Sequence, residues 1–198
     1  MKTAAAAALL FFPGFEPDPV LPEPTAEDDD FYTPRWFLDW LPPVALDPCG
    51  AEKAHVRAKR VFDLRRSEDG LSLPWNAAAL TFCNPPYSAC SAWVARCRDQ
   101  ARMGVVAALI PAKPGEAYWH EHVWGVAHTV GFLRGRIRFD TVNGPAKDAA
   151  TFGSALVVWG STFAASKFVQ HVRMAAGDDP RRPHWVSARA AGRQSWRG

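Results

Sequence analysis

The sequence lacks any long hydrophobic run. Its longest uninterrupted apolar stretch, Ala4 to Phe12, has nine residues, whereas a membrane-spanning helix needs about 20. The chain also has only four cysteines in 198 residues, too few for the disulfide network of a small secreted scaffold. Hydrophobic residues still make up 48% of the chain, which is enough for an ordinary core. These proportions argue against a membrane protein and a disulfide scaffold, and they predict a soluble globular domain.

Positive charge is scarce at the start of the chain. Before Arg35 the only basic residue is Lys2, against seven acidic residues, so the remainder is strongly basic although the net charge is only +3. A basic body fits a polyanionic partner, because phosphates that bind Lys and Arg release their counterions. A solvated basic surface would have the same composition, so charge alone leaves both interpretations open.

Two tails are expected to flank one domain, residues 31–172. Residues 1–30 combine the acidic residues with five prolines, and this composition predicts a disordered acidic tail. The start of this tail imitates a secretory signal, but no small-x-small cleavage site follows it, which favours a cytoplasmic protein. Residues 173–198 contain six arginines and little apolar periodicity, so they are predicted to form a basic tail.

Helix and strand signals alternate within the domain. Apolar runs predict strands at 44–46, 78–83, 105–110, 129–133, 136–139 and 155–159, and the patterns between them predict helices at 34–41, 88–102 and 119–127. This alternation is typical of an α/β fold with a mostly parallel sheet covered on both faces. Ligands of such sheets bind outside the carboxyl ends of the strands, which is where Asp47-Pro48 and the segment after Cys83 lie.

The segment Asn84-Pro85-Pro86-Tyr87 is the motif that indicates a chemistry. The exocyclic amine of a purine is a poor nucleophile, because its lone pair is delocalised into the ring. Two acceptors that take both amine hydrogens, such as the Asn84 side-chain oxygen and the Pro85 carbonyl, would free that lone pair. Two consecutive prolines make the turn rigid, and Tyr87 can stack on a planar substrate. The alternative is a strand-terminating turn without chemistry.

Short segments in order along residues 31–160 resemble the small phage-type Dam-like DNA N6-adenine methyltransferases. The matching segments are Phe31-Tyr32-Thr33-Pro34, Leu46-Asp47-Pro48-Cys49, Asp69-Gly70-Leu71, Asn84-Pro85-Pro86-Tyr87-Ser88, Leu109-Ile110-Pro111-Ala112, Arg134-Gly135-Arg136-Ile137-Arg138-Phe139 and Phe152-Gly153-Ser154-Ala155-Leu156. The resemblance implies a trimmed Rossmann-like methyltransferase sheet with helices on both faces. It also implies S-adenosyl-L-methionine as cofactor, duplex DNA as partner, and no metal.

The resemblance assigns roles to individual residues. Asn84 to Tyr87 would hold an adenine extruded from the duplex, because an amine inside the helix cannot reach a methyl donor. The residues implied for cofactor binding are Thr33, Pro34, Asp47, Pro48, Gly50 and Asp69, with Asp63 as a second acidic candidate. The alternating Arg134, Arg136 and Arg138 would present guanidinium groups to DNA phosphates from one face of a strand; a solvated strand face is the alternative.

Two departures from the family pattern keep other functions open. Only Gly50 follows Asp47-Pro48-Cys49, whereas many methyltransferases have a glycine-rich cofactor loop, and the interval from Gly50 to Asn84 barely holds the usual strands and helices. An RNA or protein-glutamine N-methyltransferase and a catalytically inactive nucleic-acid-binding relative are the alternatives. Cys83, Cys90 and Cys97 lack the paired spacing of a zinc site and are expected to be buried thiols.

Overall fold

A computed structural model describes residues 31–50, 54–75, 79–102, 104–141 and 143–191. The predicted acidic tail, residues 1–30, lies outside these residues, as do the last seven positions of the predicted basic tail. Within the described ranges, no helix has both the length and the apolar character needed to cross a membrane.

The centre of the fold is a mixed sheet of seven strands in the order β2-β1-β3-β4-β8-β5-β9. Strands β2, β1, β3 and β4 run parallel, β8 is antiparallel to both of its neighbours, and β9 is antiparallel to β5. A separate antiparallel ribbon contains β6 and β7. The strands are β1 (Val44–Asp47), β2 (Ala58–Val61), β3 (Leu80–Cys83), β4 (Val105–Pro111), β5 (Thr129–Phe132), β6 (Asp140–Thr141), β7 (Gly144–Pro145), β8 (Ser154–Trp159) and β9 (His184–Ser187).

Helices cover both faces of the sheet. The central strands β3, β4 and β8 are therefore buried along their whole length, and neither of their faces is exposed to water. Side chains of α2, α3 and α5 pack on one face, and side chains of α1 and α4 pack on the other. The helices are α1 (Arg35–Leu38), α2 (Cys90–Gln100), α3 (Ala117–His122), α4 (Thr162–Ala176) and α5 (Ala188–Ala191), with 3-10 turns at Leu64–Arg66 and Tyr87–Ala89. The predicted Rossmann-like α/β class with helices on both faces is confirmed.

The structure corrects the predicted strands in three places. The sheet is mixed rather than mostly parallel, because β8 inserts antiparallel between β4 and β5. Strand β2, whose two central residues are exposed, has no apolar run and was not predicted. Residues 136–139 are not a strand: Ile137 and Phe139 are buried, but their carbonyls accept N–H groups of residues 150 and 146 in loops instead of a strand ladder.

The predicted basic tail does not begin at residue 173. Helix α4 continues to Ala176, because Ala165, Phe168, Val172 and Ala176 form one buried stripe at helical spacing. Further on, β9 pairs with β5 at the edge of the sheet. Residues 173–176 and 184–187 therefore belong to the folded domain.

Candidate active site

A cleft of about 260 Å³ opens at the carboxyl ends of β1 and β3. These strands are parallel neighbours with Leu46 opposite Thr81, so the segments that follow them leave the same edge of the sheet. Six of the predicted site residues line the cleft: Thr33, Asp47, Pro48, Gly50, Asn84 and Pro86. The topology thus brings the predicted cofactor loop and the Asn-Pro-Pro-Tyr loop to one cavity.

Of the two acidic candidates, Asp63 lines the cleft and Asp69 is not among its lining residues. Asp63 lies two residues after Val61, the last residue of β2, and is 6% exposed. The Asp69 carboxylate instead accepts the Leu71 N–H at 2.9 Å and the Ser72 hydroxyl at 2.6 Å, and these bonds lower its pKa. The Asp69 carboxylate is therefore used to hold its own turn. Asp63 instead lies just after a parallel strand, which is where ligands of such sheets bind. Recognition of β2 would have pointed to Asp63.

Asp47 places a carboxylate in the wall of the cleft. Few hydrogen bonds offset the cost of burying its charge. The residue is 3% exposed, and its Oδ1 accepts the Cys49 N–H at 3.2 Å and the Cys49 thiol at 3.8 Å. Burial raises the pKa of Asp47 to about 7, although the two bonds from Cys49 act in the opposite direction. A cationic ligand in the cleft would restore the charge of this carboxylate.

The side chain of Asn84 is oriented as an acceptor. Its Nδ2 donates to the Phe31 carbonyl at 3.4 Å, and its Oδ1 is buried with no hydrogen-bond partner among the described residues. A buried acceptor without a partner is unfavourable by about 1–3 kcal/mol. The amide oxygen is therefore available for a donor supplied by a ligand.

A second unpartnered oxygen lies in the same cleft. The Thr33 hydroxyl belongs to a residue that is only 2% exposed, and it has no hydrogen-bond partner among the described residues. Pro34 does not line the cleft; it is buried and stands at the N-cap of α1, where its carbonyl accepts the Phe37 N–H at 3.1 Å. Its role is to turn the chain from Thr33 into α1.

Two glycines allow the loops around the cleft to approach closely. A Cβ on Gly50 would lie 2.3 Å from Val61 Cγ1 and 3.0 Å from the Asp47 carboxylate, and a Cβ on Gly70 would lie 1.9 Å from the Pro48 carbonyl oxygen. The Gly70 carbonyl also accepts the buried Trp75 indole N–H at 2.7 Å. The single glycine after Asp47-Pro48-Cys49 is thus supplemented by Gly70, which comes from a distant part of the chain.

Tyr87 packs behind the cleft instead of lining it. Its ring makes edge contacts with Phe139 at 5.9 Å and with Phe152 at 5.4 Å between centroids. Its hydroxyl is buried without a partner among the described residues, and burial raises its pKa. Pro85, two residues before Tyr87, is buried. Both Pro85 and Pro86 follow trans peptide bonds. The contacts with Phe139 and Phe152 restrain the Tyr87 ring.

The three predicted DNA-binding arginines are all exposed, and the intervening Ile137 and Phe139 are buried. The predicted alternation is therefore present, although the segment is a loop. Phe139, the neighbour of Arg138 in the chain, packs against the Tyr87 ring. Arg134 instead lines a separate groove that also contains Asp178 and Asp179.

The cysteines are free thiols. Cys49 and Cys83 have their sulfur atoms 3.4 Å apart, and burial raises the pKa of both thiols, which disfavours the reactive thiolate. No group of three or more metal-ligating side chains is found among the residues with described positions.

The seven-stranded mixed sheet with helices on both faces is compatible with a Rossmann-like methyltransferase fold. The model of the DNA N-6-adenine-methyltransferase (Dam) family matches residues 23–178. This match covers most of the chain, which therefore belongs to the Dam family of DNA adenine methyltransferases. None of the curated proteins matches the chain.

Proposed function

We propose that the protein transfers the methyl group of S-adenosylmethionine to N6 of an adenine extruded from duplex DNA. The observation that carries the proposal is the Asn84 oxygen, which is buried without a partner at the cleft shared with Asp47 and Thr33. The family match supports DNA as the substrate. Both substrates occur in the cytoplasm of a bacterial cell, where the reaction would take place.

The residues of the cleft fit the proposed cofactor. S-adenosylmethionine, when bound, supplies a methyl group on a positively charged sulfur, so the donor is already activated. Asp47 offers a buried carboxylate to a cationic ligand, Thr33 offers a hydroxyl without a partner, and Asp63 offers a second carboxylate. The small residues Gly50 and Gly70 let the surrounding loops close around such a ligand.

Asn84 and Pro85 would act on the target amine as a pair of fixed acceptors. The Asn84 Nδ2 bond to the Phe31 carbonyl orients the amide and leaves Oδ1 without a partner among the described residues, so this oxygen could accept from the target amine. Pro85 has a carbonyl on a backbone that proline makes rigid. Acceptors that take both N6 hydrogens draw the nitrogen lone pair out of the purine ring. Preorganised groups of this kind stabilise charge that develops in the transition state. The proton lost from nitrogen then passes to water.

The test is transfer of tritiated methyl groups from S-adenosylmethionine to a DNA duplex with adenines and to one without them. We expect label only on the first duplex, and Asn84→Ala should lower the rate about 10²–10³-fold with cofactor affinity within about twofold. Asn143→Ala is the matched control, because Asn143 is exposed outside the cleft.

Two results would contradict the proposal: wild-type protein that leaves the adenine duplex unlabelled, or an Asn84→Ala variant that labels it at the wild-type rate. Single-stranded RNA and a glutamine-containing peptide belong in the same panel. Label on either of these in place of DNA would assign the site to one of the alternative N-methyltransferases.

A further inference from the structure

Lys113 emerges at the same edge of the sheet as the Asn-Pro-Pro-Tyr loop. Strands β3 and β4 are parallel neighbours, with Cys83 opposite Ala108. Asn84 follows the last residue of β3 directly, and Lys113 lies two residues after Pro111, the last residue of β4. The sheet therefore places the exposed Lys113 at the carboxyl ends of β3 and β4, where the Asn-Pro-Pro-Tyr loop also begins.

Aromatic contacts connect this ammonium group to Tyr87. The Lys113 Nζ lies 5.2 Å from the centroid of the Phe152 ring, and Phe152 lies edge-on to Tyr87 at 5.4 Å. The Ala112 N–H donates to the Gly153 carbonyl at 2.8 Å, which ties the two loops together. The cation–π contact restrains a flexible side chain, so less conformational entropy is lost when it binds a ligand.

No ion pair neutralises the charge of Lys113 within the described part of the chain. Among the residues of known position, no carboxylate lies within 4 Å of its ammonium group, and the nearby Glu116 is exposed and unpaired with it. Tyr87 also contacts Phe139, whose neighbour in the chain, Arg138, is exposed. Lys113 thus carries an exposed positive charge beside the Phe152 ring that contacts Tyr87.

We propose that Lys113 binds a backbone phosphate next to the extruded adenine. The inference rests on the proposed function, because a base held by Asn84 brings its own phosphates to this edge of the sheet. An ammonium group acts as a point charge that suits a phosphate, and a contact of this kind positions DNA without reading its sequence.

The chain offers a matched control in Lys167. Its Nζ lies 4.3 Å over the ring of Phe163, so it has the same charge and the same kind of aromatic contact. It belongs to the start of α4, which follows β8. The end of β8 pairs with the beginning of β4, because Trp159 lies opposite Val106. Helix α4 therefore begins at the ends of the strands opposite to those where Lys113 lies, and Lys167 is in its second turn.

The experiment measures the affinity of wild-type protein, Lys113→Gln, Lys113→Arg and Lys167→Gln for a fluorescent adenine-containing duplex as salt increases from 50 to 200 mM. Lys113→Gln should weaken binding about three- to tenfold at the lowest salt and reduce the slope of log K against log salt by about 1, equally for all sequences. Lys113→Arg should keep most of the affinity, and Lys167→Gln should match the wild type.

An unchanged salt slope in Lys113→Gln, with wild-type DNA binding intact, would overturn the inference and leave the proposed function standing. An equal loss in Lys167→Gln would also overturn it, because the effect would then reflect total charge. No binding of the duplex by the wild type would refute the proposed function and this inference together.

Discussion

Replacement of Asp47 by Asn isolates the cost of a buried charge in the cleft wall. The amide has the same shape as the carboxylate, and its Oδ1 can accept the same N–H of Cys49. The variant therefore removes the charge with little change in packing. Any constant cost of the new NH₂ group cancels when the two proteins are compared at two pH values.

The expected magnitude follows from the pKa of Asp47, which burial raises from 3.8 to about 7. Because the folded protein holds this proton more tightly than the unfolded chain, the contribution of Asp47 to stability is full below pH 4 and is lost as the pH rises through 7. Linkage gives a loss of roughly 1–2 kcal/mol at pH 5 and about 4 kcal/mol at pH 8. Wild type should therefore lose about 3 kcal/mol relative to Asp47→Asn between these pH values.

The assay is thermal or urea unfolding of the ligand-free proteins at pH 5 and pH 8. A difference of 3 kcal/mol corresponds to roughly 5–10 °C in melting temperature for a chain of this size. Asp148→Asn is the control, because Asp148 is exposed and should show no such pH-dependent difference. Calorimetry at pH 8 should in addition show at least tenfold weaker binding of S-adenosylmethionine to Asp47→Asn. Parallel pH profiles for wild type and Asp47→Asn would refute the reasoning.

Three further substitutions test the cleft and its support. Gly70→Ala places a Cβ 1.9 Å from the Pro48 carbonyl oxygen, so denaturation should show a loss of about 1–3 kcal/mol in the free energy of unfolding. Gly115→Ala is the control and should leave stability unchanged, because a Cβ there has nothing within 4 Å. Equal losses in the two variants would contradict this account. Thr33→Val removes a buried hydroxyl without a described partner, so stability should be kept while calorimetry shows about tenfold weaker cofactor binding; unchanged affinity would place the cofactor elsewhere. Tyr87→Phe keeps the ring contacts and removes only a buried hydroxyl, so the methylation rate should stay within a few-fold of wild type, and a loss above 100-fold would give that hydroxyl a chemical role.

The sequence was most informative where the pattern was local and apolar. The continuous runs of β4 and β8 predicted two central strands, and the Asn-Pro-Pro-Tyr segment predicted a rigid turn at a strand end. Strand β2 gave no such signal, because it lies at the edge of the sheet with two exposed residues. The sequence pattern therefore does not favour Asp63 over Asp69, although only Asp63 lines the cleft.

The end of the domain was harder to predict, because short-range pattern does not reveal long-range pairing. Strand β9 joins the sheet through β5, more than 50 residues earlier in the chain, and its own side chains are exposed or half-buried. The arginines around it suggested a tail. The pairing with β5, rather than hydrophobic periodicity, includes this segment in the fold.

By itself, the sequence determined the α/β class, the turn that carries Asn84 and the residue types available for acceptor chemistry, because proline stiffness and strand burial are encoded within a few neighbouring residues. Only the tertiary structure decided which residues meet. The parallel pairing of β1 with β3 brings Asp47 to Asn84, and the loops after β4 and before β8 bring Lys113 to Tyr87 through Phe152. Such contacts join residues distant along the chain, and strand order and register set them.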